Sequence, residues 1–214
     1  MADLIAGAYE VALARHARGR LLDLGCGKAP LYGTYSKLVS ETTCVDWGGT
    51  VHPSEHVDLE WDLNRDLPFN DSRFETVILS DVLEHLPEPS ALWREMARVL
   101  SPGGKVLLSV PFLYSLHEQP HDYYRYTEFA LRRFAGRSGL RILEMRALGG
   151  APEVLADIIA KNVASLPTVG RRLALATQWV AGISARTRMG SRISRRTSAR
   201  FPLAYFLVAE RPTT

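Results

Sequence analysis

The chain has 214 residues, enough for one domain, with 46% hydrophobic residues, 23% charged residues and a formal net charge of +3. That composition excludes collagen-like, mucin-like and wholly disordered chains. No apolar run reaches the ~20 residues that a bilayer span needs. The N-terminal segment carries Asp3 and Glu10 and has no secretory-signal pattern.

Residues 1–19 predict a leading helix, with Leu4, Ile5, Ala8, Val11 and Ala12 at helical spacing. Arg20–Leu24 is a short apolar strand that runs into Asp-Leu-Gly-Cys-Gly. Pro30 then stands where a first helical turn tolerates proline, and Leu31–Val39 continues as a helix. Thr42–Val45 is β-branched and closes at Asp46, and Glu55–Leu59 is a weaker third strand. Phe74–Leu79 is a buried strand, Pro89–Leu100 a helix, Ser101–Gly104 a turn and Lys105–Val110 a fifth strand. Thr127 caps a helix running to Phe134, and Leu140–Arg146 and Leu203–Ala209 are two further strands. Strands alternating with helices predict an α/β architecture with a mostly parallel sheet, a single domain over residues 1–214. Cys26 and Cys44 are too few for a disulfide scaffold and read as reduced thiols of a cytoplasmic protein.

The charge is uneven. Residues 150–199 hold eight basic side chains against Glu153 and Asp157, a local charge of +6 that leaves −3 for the rest. Such a segment attracts phosphate, nucleic acid or anionic lipid, or is simply a solvated helical face.

Asp23-Leu-Gly25-Cys26-Gly27 follows a strand and precedes a helix. Its glycines permit a tight turn and the close approach of a ligand. Pro30 breaks the dinucleotide fingerprint, no Gly-Lys-Ser/Thr follows, and an acid before the glycines suits a cationic ligand better than a pyrophosphate. Asp46, at the end of the second strand, is placed to accept both hydroxyls of a ribose. Further along stand Trp61-Asp62-Leu63, Leu67-Pro68-Phe69, Ser80-Asp81-Val82-Leu83-Glu84-His85 and Leu100-Ser-Pro102-Gly103-Gly104.

In this order and spacing the series resembles the class I S-adenosylmethionine-dependent methyltransferases, in their small-molecule, methyltransferase-11-like branch. The resemblance is detailed over residues 20–110. It implies a doubly wound, Rossmann-like seven-stranded sheet with the last strand antiparallel and helices on both faces. It implies S-adenosylmethionine as cofactor and S-adenosylhomocysteine as product. By the same resemblance Gly25, Cys26 and Gly27 line the methionine part, and Asp23 holds its amino group through water. Asp46 takes the ribose, Trp47 packs on the adenine, Asp62 and Leu63 meet the adenine edge, and Ser80 and Asp81 close the methionine side. Lys28-Ala29-Pro30 replace a glycine common in the family.

Methyl transfer from a sulfonium is an in-line displacement that depends on alignment and desolvation. A base is needed only where the acceptor must lose a proton. The candidates for acceptor chemistry crowd into Pro111–Tyr126. His117 and His121, with His85 as a further candidate, read as base or acceptor-orienting groups. Phe112, Tyr114, Tyr123, Tyr124 and Arg125 read as substrate-binding groups, and the competing reading has these side chains only knit the loop to the sheet. His117-Glu118-Gln119-Pro120-His121 matches a zinc-protease string, yet Pro120 is incompatible with the helix that string requires, so no metal ligand is assigned.

The resemblance makes 150–199 an insertion before the last strand. Pro152–Ser165 and Arg171–Ser184 predict amphipathic helices, and Arg186–Arg200 is a basic run, either mobile or gripping an anionic acceptor. A lid over the acceptor pocket is preferred, with a homodimer surface or a membrane-surface element as the other roles. Three functions compete. The first is methyl transfer to O or N of a small-molecule acceptor, such as a natural-product or saccharide intermediate. The second is RNA or DNA methylation through the basic segment, disfavoured because strand four ends in Ser-Asp-Val-Leu rather than an Asn/Asp-Pro-Pro-aromatic string, no Pro-Cys nucleophile is present, and the basic residues lack interleaved aromatics for base stacking. The third is a non-catalytic cofactor-binding module.

Overall fold

The computed structural model describes residues 2–49 and 55–213; Met1, part of the expected leading helix, lies outside them. In chain order the elements are α1 (Ala2–His16), β1 (Arg20–Leu24), α2 (Tyr32–Tyr35), β2 (Glu41–Asp46), β3 (Leu59–Glu60), β4 (Phe74–Ser80) and α3 (Pro89–Val99). There follow β5 (Leu100–Pro111), α4 (Glu128–Arg137), β6 (Arg141–Leu148), α5 (Ala151–Ala164), α6 (Gly170–Arg186), α7 (Arg188–Thr197) and β7 (Ala204–Glu210). The strands form one sheet in the order β3-β2-β1-β4-β5-β7-β6. β1, β2, β3, β4 and β5 pair in parallel, and β7 lies antiparallel between β5 and β6. This is the seven-stranded Rossmann-like sheet that the sequence implied.

The period-two alternation of strand side chains splits the core between the two faces of the sheet. Leu22, Leu24, Val77, Leu79, Val106 and Leu108 face a cluster completed by α3 and α4. Leu21, Ile78 and Leu107 face the opposite cluster with Tyr9 and Leu13 of α1 and Tyr35 of α2. α3 begins with Pro89 in its first turn and buries Leu92, Trp93, Met96 and Val99, one stripe at helical spacing. Thr127 caps α4, accepting from the Ala130 N–H.

Several boundaries differ from expectation. The helix expected over Leu31–Val39 is a single turn, Tyr32–Tyr35. Gly33 and Thr34 favour helix weakly, and the buried Tyr35 ring fixes that turn against the sheet. The third strand lies at Leu59–Glu60, beyond the expected Glu55–Leu59 core, because it pairs only with Val45 and Asp46. Ser101–Gly104 is not a turn but an irregular stretch of β5. Pairing shifts register between Phe74↔Leu100 and Thr76↔Lys105, and Gly103 absorbs the extra length at φ +75. A side chain at Gly104 would stand 2.8 Å from the Ser101 carbonyl oxygen. The basic run, expected either to be mobile or to grip an anionic acceptor, is folded over Arg188–Thr197 as α7, capped by Thr187.

The topology gathers one edge. The carboxyl ends of β1, β2, β4 and β5 lie side by side, and parallel α/β sheets bind ligands at that edge. The insertion opens there too, because Leu148 and Ala204 are paired neighbours at its two ends. The Phe112 N–H donates to the Leu203 carbonyl, tying the loop after β5 to the end of the insertion. Trp93→Ala should destabilise the chain by about 3–5 kcal/mol, since it empties a fully buried site, while Leu155→Ala on an exposed position should cost less than about 0.5 kcal/mol; urea unfolding curves measure both.

Candidate functional site

The bend after β1 begins the site. The N–H groups of Gly25 and Cys26 both donate to the Val45 carbonyl, at 2.8 and 3.1 Å, so the chain turns sharply across the end of β2. Gly25 has φ +68 and Gly27 φ +53, a region open to glycine. A Cβ on Gly25 would lie 2.4 Å from a Val82 methyl, so the end of β4 packs directly on the bare backbone. Cys26 is buried beneath the bend, and Cys26 and Cys44 are free thiols.

Carboxylates cap the strands around that bend. Asp23 is buried and accepts from the Tyr35 hydroxyl at 2.8 Å. Burial pushes its pKa up to about 7, with Tyr35 opposing and the Asp46 charge reinforcing the rise. Asp46 Oδ1 accepts from the Trp47 N–H at 2.9 Å, while Oδ2 is buried with no hydrogen-bond partner. An unpartnered buried carboxylate oxygen is costly and stands ready for a donor. Trp47 is half exposed and meets His121 edge-on at 5.7 Å. Asp62 Oδ1 accepts from both the backbone and side-chain N–H of Asn64, and Leu63 is buried beside it. Ser80 Oγ lies 3.3 Å from Ser109 Oγ, and Asp81 accepts from Ser109 at 3.1 Å. Burial, followed by the Glu84 charge, raises Asp81 to about 7.

The loop after β5 supplies the second half. Asp122 joins it together: its side chain is buried, accepts the His117 N–H at 2.9 Å and is gripped by Arg125 at 2.5 and 2.8 Å. The Arg125 guanidinium holds its carboxyl down at about 2. Arg125 also donates to the carbonyls of Tyr114, Ser115 and Tyr124. Its five N–H donors are all engaged inside the loop, which corrects the expectation that it binds substrate. Tyr124 is likewise tied, donating to the Pro87 carbonyl at 2.9 Å. Phe112 packs against Tyr205, Tyr114 stands between His117 and Lys161 of α5, and Tyr123 is exposed.

The three histidines part company. His117 Nε2 and His85 Nε2 lie 3.6 and 3.7 Å from the same oxygen, Glu84 Oε1. The Glu84 carboxylate raises the His117 pKa against the opposing effect of burial. His121 is turned away, its ring against Trp47 and its Nδ1 3.3 Å from the Tyr123 hydroxyl. Residues 117–121 lie in an irregular loop, so this string does not present two histidines on one helical face. Tyr35, Ser109 and Glu84 organise the site without having been assigned a role from sequence, while Asp122 is one of the candidates within Pro111–Tyr126. Glu84 stood inside a quoted motif, whereas Tyr35 and Ser109 read as ordinary helix and strand positions.

The residues fit S-adenosylmethionine at the cofactor half. The orphan Asp46 Oδ2 suits a hydroxyl donor, the bare Gly25 backbone admits close approach, and the buried acids suit a cation. Comparison with known proteins points the same way. A family model described as "Methyltransferase domain" matches residues 22–108. The Ubiquinone biosynthesis O-methyltransferase of Xanthomonas oryzae pv. oryzae is 33% identical over 103 residues, covering 44% of this chain and 43% of that protein. The chain thus spans less than half the length of that curated relative. An S-adenosylmethionine-dependent methyltransferase from Mesorhizobium loti superposes with TM-score 0.62 at 16% identity, covering 97% of this chain and 98% of that one. The [4+2]-cyclase SpnF shares the fold equally well, with TM-score 0.61 at 18% identity over 97% of this chain and 81% of that one. The fold alone therefore leaves the chemistry open.

Asp23 sets a pH dependence. Its raised pKa works against folding, so its contribution to stability is fullest below the unfolded carboxyl pKa and is lost as pH rises through about 7. A cationic ligand draws out the ionised form. Affinity for S-adenosylmethionine should rise about five- to tenfold between pH 6 and 7.5, and Asp23→Asn should flatten that rise in calorimetric titrations.

Proposed function

We propose that this chain, whose residues 22–108 match a family model described as a methyltransferase domain, is a class I S-adenosylmethionine-dependent methyltransferase that methylates a hydroxyl of a small, apolar or aromatic acceptor. The carrying observation is the buried, partnerless Asp46 Oδ2 at the carboxyl edge, beside a bend that no side chain obstructs. The sulfonium cofactor supplies an already activated methyl group. Asp46 accepts from the ribose, the Gly25–Gly27 backbone and Asp23 hold the amino-acid end, and Asp62 and Leu63 meet the adenine edge. Ser80 and Asp81 close the methionine side. The name of the Xanthomonas relative favours oxygen over nitrogen as the methylated atom.

An acceptor hydroxyl must lose its proton to become a good nucleophile. Activation falls to the cluster of Glu84, His85 and His117, which stands between the end of β4 and the loop after β5. Phe112, Tyr114 and Tyr123 supply aromatic surface beside it. Asp46→Ala should weaken cofactor binding by about 10- to 100-fold, as loss of a charged hydrogen-bond acceptor. His117→Ala should leave cofactor affinity intact and slow turnover by about 100-fold or more. Calorimetry and labelled methyl transfer to phenols and catechols, with amines for comparison, measure both. Unaltered cofactor affinity in Asp46→Ala would overturn the binding half. Tight cofactor binding with no transfer to any acceptor would make the chain a non-catalytic module.

The insertion supports a surface-bound acceptor. Lys161 Nζ of α5 sits 3.0 Å from the Tyr114 ring centre, a contact that ties the insertion to the loop and supports a lid role for α5. Across the insertion Leu155, Ile159, Trp179, Val180, Met189 and Ile193 are exposed. Arg171, Arg172, Arg188, Arg192, Arg195 and Arg196 accompany them. Apolar surface rimmed by arginine suits the interface of an anionic bilayer, and among the described residues no helix is long and apolar enough to cross one. The chain should co-sediment with phosphatidylglycerol vesicles, be released by high salt and lose binding on Trp179→Glu. A chain that ignores the vesicles and sediments as a dimer instead assigns this face to a second copy.

A further inference from the structure

Glu84 poses a problem of electrostatics. It follows β4 in a single 3-10 turn, Leu83–His85, and its side chain is fully buried. Neither carboxylate oxygen accepts a hydrogen bond. Burying a carboxylate without compensation costs several kcal/mol. What faces it are two imidazole nitrogens, His85 Nε2 at 3.7 Å and His117 Nε2 at 3.6 Å, both too far for an ordinary N–H···O bond.

The second nitrogen of the His85 ring is already committed. His85 Nδ1 lies 2.6 Å from the His121 carbonyl oxygen, which can only accept, so Nδ1 carries the proton. His117 Nδ1 is buried without a hydrogen-bond partner, 3.3 Å from the Asp122 carboxylate. In the neutral His85 ring Nε2 is therefore a bare lone pair facing the lone pairs of Glu84, with Glu118 Oε2 3.8 Å away. Converging lone pairs repel unless a cation lies among them. The carbonyl behind the His85 imidazole is the outer-shell arrangement that fixes the tautomer of metal-binding histidines.

The spacing suits an ion. One donor atom from each of Glu84, His85 and His117 lies within 4.8 Å of the other two. Tetrahedral bonds of about 2.1 Å set ligand atoms about 3.4 Å apart, close to the two distances seen here. Two imidazoles and one carboxylate suit zinc or a neighbouring first-row divalent ion, and suit magnesium poorly.

We propose that Glu84, His85 and His117 form a binding site for a divalent transition-metal ion of the zinc type. The string His117–His121 reads as a metal motif and is not one, since His121 lies outside the cluster. Its first histidine is recruited instead by a Glu-His pair from another strand end. Three protein ligands leave room for a fourth, beside the loop that supplies His117. This part rests on the methyl-transfer reading: an acceptor hydroxyl there ionises more readily and releases its proton to solvent.

The test starts from the full chain, stripped with a chelator and dialysed, then titrated calorimetrically with zinc chloride and separately with magnesium chloride. One zinc site per chain is expected, with no saturable magnesium site. His85→Ala and His117→Ala should each weaken zinc binding by at least about tenfold. His121→Ala should leave it unchanged. Glu84→Gln should also weaken it, and unfolding curves check that each variant folds; the two histidine variants suffice if Glu84→Gln does not. No zinc uptake by the stripped chain, or parental affinity in folded His85→Ala and His117→Ala, overturns the proposal. Because zinc is titrated without cofactor and S-adenosylhomocysteine binding is measured separately, failure of the metal site and failure of the methyl-transfer reading give different results.

Discussion

The contact between the bare Gly25 backbone and Val82 is the constraint on which the rest depends. β1 and β4 are hydrogen-bonded neighbours that end at the same edge, and the chain leaving β4 crosses over the bend leaving β1. Only a residue without a side chain, at positive φ, allows both to pass. That crossing sets Asp23 and Asp46 on one side of the bend. On the other side it turns Asp81, Glu84 and His85 toward the loop after β5. A larger residue at position 25 would push the two halves apart and separate the cofactor cradle from the acceptor groups.

Four acids, Asp23, Asp46, Asp81 and Glu84, thus collect at the end of one sheet with little access to water. Such a group is poorly solvated and self-repelling, which is why Asp23 and Asp81 hold their protons up to about pH 7. The arrangement makes sense as a receptor for positive charge. On the readings proposed above, a sulfonium ligand would relieve the first pair and a divalent ion would relieve Glu84. Binding energy at this edge is stored as unfavourable electrostatics in the ligand-free chain, and each cation that arrives finds its partners already oriented.

The insertion carries a different surface. Its entry and exit are fixed by the antiparallel pairing of β6 with β7, which returns the chain to the edge from which it left. α5 touches the loop through Lys161 and Tyr114, while α6 and α7 expose Leu173, Trp179, Val180, Met189 and Ile193. On the proposed membrane-surface reading, an apolar acceptor would pass from the bilayer to the cofactor without crossing water.

Much of this was legible from residues alone. The bend at Gly25–Gly27, the acids at 23 and 46, the strand cores and the capped helix at Thr127 are local signals. Each depends on residues adjacent in sequence or on short periodicity. The seven-stranded sheet with its antiparallel last strand followed from the resemblance carried by those motifs. What sequence could not decide was pairing across long separations. The Pro-Gly-Gly stretch reads as a turn because its glycines look alike in a turn and in a bulge; only the register of β4 against β5 distinguishes them. Arg125 reads as a substrate ligand until Asp122 and three carbonyls fold around it. His117 and His121 are equivalent in a string of letters, and tertiary structure separates them by setting one beside Glu84, 33 positions earlier in the chain, and the other beside Trp47. Local backbone preference is written residue by residue. Which charges share a buried volume is settled only when distant strands come to lie side by side.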